Sequence, residues 1–350
     1  MSWVENKEID WDKAKELLAD SAWGGQYSNY GPVVRKAEEY YRAVLGIDEG
    51  KAIIYCTSGT TALHTAYLAI KNAISKKVHS PTVMTVPFNF PSCANGPIKK
   101  VVFTDLEDDY TFPLKRSASE RYDIVIVPNF FGHVQDIEGI ENSYSDKHII
   151  YDNAASAYSF YKGSNVSNYG TASIISLHHT KPIGFGEGGL LIIDDEFEEQ
   201  ARRVINFGNH MVPGETWSSE SSNYKPSDIT AAFGMQYLTQ PANDMRYMSR
   251  RYRDNYALLL GNLLADSTHP FKMFPTSVSL GNMMPSCLPI VSGDPGLNQI
   301  MYSNSEVKKY YKPLVENMEN CNKLYSKIVC IPCHKDITDF NSLFGLVHTE

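Results

Sequence analysis

The stretch SLHHTKPIGFGEGG, residues 176–189, places one lysine, Lys181, between two apolar runs and just before a group of four glycines. A lysine amine forms a Schiff base with an aldehyde when its surroundings keep it partly neutral, and glycines let a backbone pass close to a flat ligand. Most lysines are solvated surface charges, and a surface hairpin is the ordinary structure for such a turn. By itself the stretch therefore leaves both interpretations open.

Two upstream segments carry residue types that suit a ligand with a phosphate and a ring. The segment TSGTT (57–61) offers Gly59, Thr60 and the start of a helix, a combination that binds phosphate, although Ser and Thr also cap helices routinely. Phe90 follows an apolar run and could stack on a flat heterocycle, although most aromatics at such places belong to the core. Each signal is weak when it is taken alone.

Asp152 completes this set of residue types. It follows the run HIIY (148–151), where a carboxylate caps a turn or holds a proton on a ring nitrogen. Ser176 and Lys181 then follow a later apolar run. In chain order the segments supply a phosphate cup, a ring stack, a partner for a pyridine nitrogen and an amine, which are the contacts that pyridoxal phosphate needs. Their combination favours a catalytic site over a surface hairpin.

The elements that must position these residues are predicted from short apolar runs. Continuous Val/Ile runs indicate strands covered on both faces, and Thr61–Ala73 has apolar residues at helical spacing. The predicted strands are Ala52–Cys56, Val83–Phe88, Lys100–Thr104, Asp123–Val127, His148–Tyr151, Thr171–Leu177 and Leu190–Ile193. This alternation predicts an α/β domain with a mainly parallel sheet, whose ligands bind beyond the carboxyl ends of the strands. The candidate residues all lie there.

The rest of the chain predicts a second, smaller unit. Its elements are an apolar helix in Tyr224–Leu238, a long amphipathic helix in Asp244–Leu264, loops over 265–298 and a short strand at Ile328–Ile331. We predict a large domain over residues 1–240, with a helical N-terminal segment over 1–45, and a small α+β domain over 241–350.

The composition limits the classes of function. A net charge of −8 in 350 residues argues against a nucleic-acid-binding surface, and no run of about 20 apolar residues predicts a membrane span. The polar, acidic N-terminus does not resemble a signal peptide, so a cytoplasmic protein with reduced thiols is expected. Cys330 and Cys333 are interpreted as apolar strand positions, because a zinc site would need a second pair at similar spacing.

The chain resembles the pyridoxal-phosphate sugar aminotransferases of the DegT/DnrJ/EryC/StrS family, which have the fold of aspartate aminotransferase, fold type I. The resemblance runs from about Gly31 to Pro332. It is carried by SGTTAL (58–63), YDNAAS (151–156), SLHHTKPIGFGEGG (176–189) and NYKPSDITAAFG (223–234). The order and the spacing of these four stretches make the resemblance specific.

The resemblance implies a role for each candidate residue. Lys181 forms the Schiff base and moves the proton, and Asp152 pairs with the pyridine nitrogen. Gly59, Thr60 and Ser176 hold the phosphate, Phe90 stacks on the ring with Phe88 as the alternative, and Asn223 reaches the phosphate in a neighbouring subunit. A homodimer with shared active sites follows from the last role.

Four positions depart from the family pattern or remain unassigned. Ala155 stands where a Gln or His commonly lies near the ring, which leaves a contact for Asn153 or a water molecule, and Asn129 stands where a His is frequent. His178 and His179 are loop residues, near the phosphate or substrate or simply packed. In a dehydrating branch of the family a histidine replaces the lysine, so the presence of Lys181 favours transamination.

The resemblance therefore implies an aminotransferase that moves an amino group from L-glutamate to a nucleotide-linked keto-deoxy sugar, with pyridoxamine phosphate as the intermediate form of the cofactor. A 4-keto-6-deoxyhexose on dTDP or GDP, used for surface glycans, is the lead candidate, and a 3-keto sugar is the alternative. Two rivals are an enzyme acting on amino acids, with Arg202, Arg203 or the 246–253 cluster binding a carboxylate, and a cofactor-binding regulator without turnover. No metal is expected.

Overall fold

The computed structural model describes residues 3–75, 80–115, 121–209, 214, 217–265, 270–294 and 307–337. Its helices are α1 (Trp11–Leu17), α2 (Ala19–Gly24), α3 (Pro32–Leu45), α4 (Gly59–Ile74), α5 (Ile137–Ser143), α6 (Glu198–Val204), α7 (Asp228–Thr239), α8 (Met245–Ala265) and α9 (Glu319–Lys327). Short 3₁₀ turns lie at Pro91–Ala94, Phe130–Gly132, Val166–Asn168, Asp195–Phe197, Phe207–Asn209, Pro241–Asn243 and Leu280–Asn282.

The strands form a large sheet, a small sheet and a hairpin. They are β1 (Lys51–Cys56), β2 (Val83–Thr85), β3 (Val101–Phe103), β4 (Ile124–Pro128), β5 (His148–Asp152), β6 (Phe160–Tyr161), β7 (Ser164–Asn165), β8 (Ala172–Ser176), β9 (Gly189–Asp194), β10 (Phe271–Met273), β11 (Cys287–Ser292) and β12 (Ile328–Pro332). The large sheet has the order β1-β9-β8-β5-β4-β2-β3, the small sheet has the order β10-β11-β12, and β6 pairs with β7.

The large sheet has seven strands and is mainly parallel, as the sequence predicts. β9 runs antiparallel to β1 and β8, whereas the pairs β8–β5, β5–β4, β4–β2 and β2–β3 are parallel. The carboxyl ends of all strands except β9 therefore meet at one edge of the sheet. The segments that carry the candidate residues start from this edge.

Helices cover both faces of the large sheet, which explains the continuous apolar runs of its strands. Along β1, Ile53 and Tyr55 face the cluster formed with α3, α7 and α8, while Ala52 and Ile54 face the cluster formed with α4 and α6. Ser227 caps α7 by accepting a hydrogen bond of 3.1 Å from the Thr230 amide, as its start signal indicates. The N-terminal segment supplies α1 to α3.

The prediction of loops over 265–298 is wrong for β10 and β11. β11 is buried throughout and forms the middle of the small antiparallel sheet, although it contains Pro289. Proline is tolerated because Pro289 lies beyond the residues that pair with β10, and its β12 partner Cys330 exchanges its backbone hydrogen bonds with Lys308 instead. Residues 266–269 and 295–298 of this stretch lie outside the described residues.

The interpretation of Cys330 as an apolar strand position is confirmed, because it lies fully buried in β12. Cys333 is also fully buried, but it lies one residue beyond the end of β12, so its assignment to a strand is wrong. Within the described ranges no three His, Cys, Asp or Glu side chains are grouped to hold a metal ion. Nor does any described helix combine the length and apolarity that a membrane crossing requires. The boundary near residue 240 stays a prediction.

Candidate active site

A pocket of about 500 Å³ opens at the carboxyl edge of the large sheet. The segments that follow β1, β2, β4, β5 and β8 form one side of it, which we call the sheet-edge wall. Of the predicted residues, six belong to this wall: Gly59, Thr60, Phe90, Asp152, Ser176 and Lys181. The fold thus brings together residues that are separated by up to 122 positions in the sequence, between Gly59 and Lys181.

Lys181 and Asp152 are the ionisable pair of the sheet-edge wall. Burial lowers the pKa of the Lys181 amine, and the nearby Asp152 charge opposes this shift. Burial likewise raises the pKa of Asp152, against a hydrogen bond of 3.0 Å from the Ala154 amide and the charge of Lys181. Desolvation has the largest effect on each pKa. The Lys181 amine is therefore in its neutral, nucleophilic form more often than the amine of a solvated lysine.

The start of α4 forms an anion-binding end of the pocket. Ser58 accepts a hydrogen bond from the Thr61 amide at 3.2 Å, and Thr61 accepts one from the Ser58 amide at 2.9 Å, which makes a capping box. The amides of Gly59 and Thr60 have no acceptor among the described residues. These free donors and the positive end of the helix dipole suit a phosphate.

Glycines allow the chain to cross this end of the pocket closely. A Cβ on Gly59 would lie 3.0 Å from the Ser176 Cβ, and one on Gly189 would lie 2.3 Å from the Ser58 carbonyl carbon. Between β8 and β9, the backbone amide of His179 donates to the Gly186 carbonyl at 2.8 Å, so the stretch 177–188 is a hairpin-like turn. Ser176, the last residue of β8, therefore packs closely against the start of α4.

The two aromatic candidates after β2 have different environments. Phe90 lines the pocket with 54% of its surface exposed, whereas Phe88 is fully buried and its ring centroid lies 5.3 Å from that of Phe130. Phe88 therefore belongs to the core, and only Phe90 is available to stack on a ligand.

Asn129 and Asn153 belong to a buried polar network. The Asn153 side chain donates to Ser173 at 2.7 Å and accepts from Asn129 at 2.7 Å, and it is fully buried. Asn153 does not line the pocket, so it does not take the ring contact that Ala155 leaves. Ala155 and Asn129 do line it, and the Asn129 side chain also accepts from the Gln135 amide at 2.8 Å.

The two adjacent histidines divide between the pocket and the turn. The Nδ1 atom of His178 accepts from the Thr180 amide at 3.2 Å, and its Nε2 atom lies 3.4 Å from Glu187, so His178 lines the pocket with a defined orientation. His179 packs its ring against Phe185 at 5.6 Å and does not line the pocket.

Asn223 and the candidate arginines lie outside the pocket. Asn223 is exposed and forms an isolated bridge with Asn206. Arg202 pairs with Glu38 and Glu198, and Arg203 pairs with Glu199. Among the described residues that line the pocket there is no arginine.

Eight further residues line the pocket from the other side and had no signal in the sequence analysis. They form what we call the opposite wall: Trp3, Glu5, Lys7, Tyr252, Ser286, Tyr310, Tyr311 and His334. Burial lowers the pKa of Lys7 to about 7, against the opposing charge of Glu5. The aromatic run KKYYK (308–312) is the one local pattern that could have indicated a binding surface here.

The mainly parallel α/β sheet is that of the pyridoxal-phosphate fold type I class, as its likeness to solved structures shows, and a desolvated lysine, a buried carboxylate and a helix start meet at one edge of it. A profile of the DegT/DnrJ/EryC1/StrS aminotransferase family matches residues 9–290, and the chain belongs to this family.

Several curated relatives and solved structures are similar to the chain. A UDP-4-amino-4,6-dideoxy-N-acetyl-beta-L-altrosamine transaminase of Campylobacter jejuni is 25% identical over 94% of this chain and 91% of its own. A GDP-perosamine synthase of Escherichia coli O157:H7 is 26% identical over 72% and 70%.

Among solved structures, DesI with its TDP-sugar product superposes with a TM-score of 0.80 at 18% identity, covering 97% of this chain and 90% of its own. NtdA of Bacillus subtilis, with the cofactor PMP bound, has a TM-score of 0.76 at 16% identity, over 97% and 82%. These likenesses show the fold.

Proposed function

We propose that the protein is a pyridoxal-phosphate-dependent aminotransferase that moves an amino group from L-glutamate to a nucleotide-linked keto-deoxy sugar. The observation that carries the proposal is the meeting of Lys181, Asp152 and the start of α4 in one pocket. A 4-keto-6-deoxyhexose on dTDP, GDP or UDP is our lead substrate class, because the names of two similar proteins specify a 4-amino-4,6-dideoxy sugar and perosamine. The product would serve surface glycan synthesis in the cytoplasm.

The donor set of the pocket fits the cofactor. Lys181 would hold its aldehyde carbon, and Gly59, Thr60 and Ser176 would hold its phosphate at the start of α4. The Asp152 carboxylate would keep the ring nitrogen protonated, because a negative charge stabilises a neighbouring cation. The cation would in turn stabilise the charged form of Asp152, which burial disfavours. The bound cofactor supplies an electron sink for the carbanion that forms when the amino-bearing carbon loses its proton.

The residues of the chain have separate tasks in the two half-reactions. The Lys181 amine would accept the proton from the amino-bearing carbon and carry it during each half-reaction. Phe90 would pack on one face of the ring and keep water from it. Glutamate and the keto sugar use the same pocket in turn, so we expect ping-pong kinetics.

The pocket lining supports a sugar over a small amino acid as the amino acceptor. A volume of about 500 Å³ and the aromatic residues of the opposite wall suit a larger, partly flat ligand.

An absorption experiment tests the proposal. The purified protein with pyridoxal phosphate should show a visible band that L-glutamate bleaches and a dTDP- or GDP-4-keto-6-deoxyhexose restores. A protein that binds the cofactor but shows neither change would be a regulator. Bleaching by another amino acid followed by release of a small product, without recovery by any keto sugar, would instead indicate an amino-acid enzyme.

We also propose a homodimer in which Asn223 contacts the cofactor phosphate of the other subunit. In support, Asn223 is exposed and lies outside the pocket of its own chain, and two exposed aromatic residues precede it in sequence, Phe207 at 40% and Trp217 at 68% exposure.

Subunit complementation tests this arrangement. The variants Lys181→Ala and Asn223→Ala should each have low activity, and mixing them under conditions of subunit exchange should restore activity, because one of the two sites in a mixed dimer is then intact. If mixing restores nothing, or if gel filtration shows an active monomer, Asn223 does not act across subunits.

A further inference from the structure

The N-terminal residues 3–10 lie across the pocket as an extended segment, which we call the strap. At its start, the ring centroid of Trp3 lies 5.6 Å from that of Tyr310. The Asn6 amide donates to Asp336 at 2.6 Å. The strap ends where the Asp10 amide donates to the side chain of Gln236 in α7, at 3.0 Å. The strap therefore connects the region of the small sheet to the helices of the large sheet.

Glu5 holds the middle of the strap in place through buried polar contacts. Its carboxylate accepts hydrogen bonds from the Tyr252 hydroxyl at 2.7 Å and the Tyr237 hydroxyl at 3.2 Å, and it pairs with Lys335 at 3.3 Å. Glu5 is 3% exposed, so these charge-assisted bonds are held away from bulk water. The position of Lys7, two residues along, is consequently well defined.

Lys7 contacts the turn that carries the reactive lysine. Its ammonium group donates to the backbone carbonyls of Lys181 and Gly184, each at 2.5 Å, and to that of Pro182 at 3.3 Å. The ammonium also lies 5.0 Å from the centre of the Tyr237 ring. An ammonium group has three N–H donors, and here three carbonyl oxygens converge on it.

These contacts leave Lys7 without a donor for a substrate, although it lines the pocket. They also satisfy the carbonyls of a turn whose residues Pro182 and Gly184 are buried, where an unpaired carbonyl costs free energy. Within the turn itself, the Gly184 amide donates to the Lys181 carbonyl at 3.0 Å. Lys7 and this internal bond together determine the backbone path from Lys181 to Gly184.

We propose that Lys7 is a positioning residue, which aims the Lys181 side chain at the reacting atoms by holding the backbone of the turn 181–184. This inference rests on the role proposed above for Lys181. It predicts that loss of the Lys7 ammonium loosens the turn and lowers the rate of the chemical step, while the affinity for the nucleotide sugar changes little.

Hydrogen exchange in the full-length protein without cofactor gives a readout that does not depend on activity. In Lys7→Met, the backbone amides of peptides covering 177–189 should exchange at least about tenfold faster than in the wild type, because three charge-assisted bonds are lost. Lys13→Met, which changes an exposed lysine of α1, is the matched control and should exchange like the wild type.

Kinetics with the cofactor provide the second readout. Lys7→Met should lower kcat about tenfold or more and change KM for the keto sugar less than about twofold, and Lys7→Arg should recover part of both the kcat and the exchange protection. A general loss of stability would lower the unfolding temperature without this split between kcat and KM.

The outcomes separate the two proposals. Borohydride reduction and peptide mapping of the wild type show whether Lys181 carries the cofactor, and failure there overturns the proposed function regardless of the exchange result. A folded Lys7→Met protein with wild-type exchange in 177–189 and wild-type kcat overturns the positioning role. If neither Lys7 variant folds, Lys7 is a general stabilising residue and the positioning role is likewise rejected.

Discussion

The two walls of the pocket differ in chemistry and in origin. The sheet-edge wall carries the desolvated amine of Lys181, the carboxylate of Asp152 and the start of α4. Asp152 is the last residue of β5, α4 follows β1, and Lys181 lies in the turn after β8. The opposite wall consists largely of aromatic side chains from separate segments, from the strap to the residues around β12. In the proposed function, the sheet-edge wall carries out the chemistry and the opposite wall shapes the space for the substrate.

This difference teaches where reactivity and selectivity lie in the molecule. Groups that must keep their mutual geometry stand on a rigid sheet with helices on both faces, where backbone positions are well defined. The residues of the opposite wall stand on segments outside that sheet. Substitutions in the two walls should therefore affect different kinetic constants.

The largest effect is expected for Lys181→Ala in the sheet-edge wall. Removal of the amine takes away both the covalent attachment and the proton carrier, so kcat should fall by about 1000-fold or more. Steady-state transamination assays measure this, with Lys272→Ala, an exposed lysine of β10, as the control. Full turnover by Lys181→Ala would remove the chemical distinction between the walls.

A smaller effect is expected for Asp152→Asn in the same wall. The neutral amide has a similar shape but no charge to stabilise a protonated ring nitrogen, so kcat should fall by about 100-fold while KM for the keto sugar changes little. Asp254→Asn, on the exposed side of α8, is the control. A change confined to KM would place Asp152 with the binding residues.

For the opposite wall we predict an effect on binding. The Tyr311 ring stacks on Phe131 with centroids 5.7 Å apart and lines the pocket. Tyr311→Ala should raise KM for the nucleotide sugar about tenfold, with kcat within about threefold of wild type, and Tyr311→Phe should remain close to wild type. If kcat falls as it does in Asp152→Asn, the two walls are not functionally separate.

The smallest effect on activity at neutral pH is expected for His133, which connects the segment after β4 to α8. His133 follows β4, is 1% exposed, and lies 3.3 Å from both the Pro275 carbonyl and the Tyr256 hydroxyl of α8. Burial lowers its pKa from 6.5 to about 4, so the unfolded chain binds the proton more readily.

The sign of the resulting pH dependence follows from that lowered pKa. The stability contributed by neutral His133 is complete above pH 6.5 and is lost as the pH falls toward 4. Between pH 7.5 and pH 5 the loss should be about 2 kcal/mol. Urea unfolding at the two pH values measures it, and His133→Gln should flatten the dependence; an unchanged slope in that variant would contradict the assignment.

Strand-end residues could be predicted because their signals are local. Continuous apolar runs indicated the strands of the large sheet, and the parallel rule then placed the residues after them at one edge. The same local reasoning failed for β11, where Pro289 suggested a loop; proline is accepted there because neighbouring strands demand no bond from it. That condition depends on tertiary structure.

Most of the opposite wall could not be predicted because its residues come from separate segments, and only KKYYK (308–312) is a local pattern that could have indicated it. Lys7 appears in the sequence as one of several lysines in a polar N-terminus, and only the packing of the strap shows that it meets the turn at 181–184. Asn223 is a different case, since its proposed contact lies in another subunit. It came from the family resemblance and stays a prediction.

The six cysteines give the protein a set of internal reporters of chain opening. All of them are buried, and none forms a disulfide. Two lie near β1 and α4 (Cys56, Cys93), and four lie in or near the small sheet (Cys287, Cys321, Cys330, Cys333). A buried thiol reacts with an alkylating reagent only when its region opens. Brief labelling followed by mass spectrometry would therefore show which part of the molecule unfolds first, without any engineered probe.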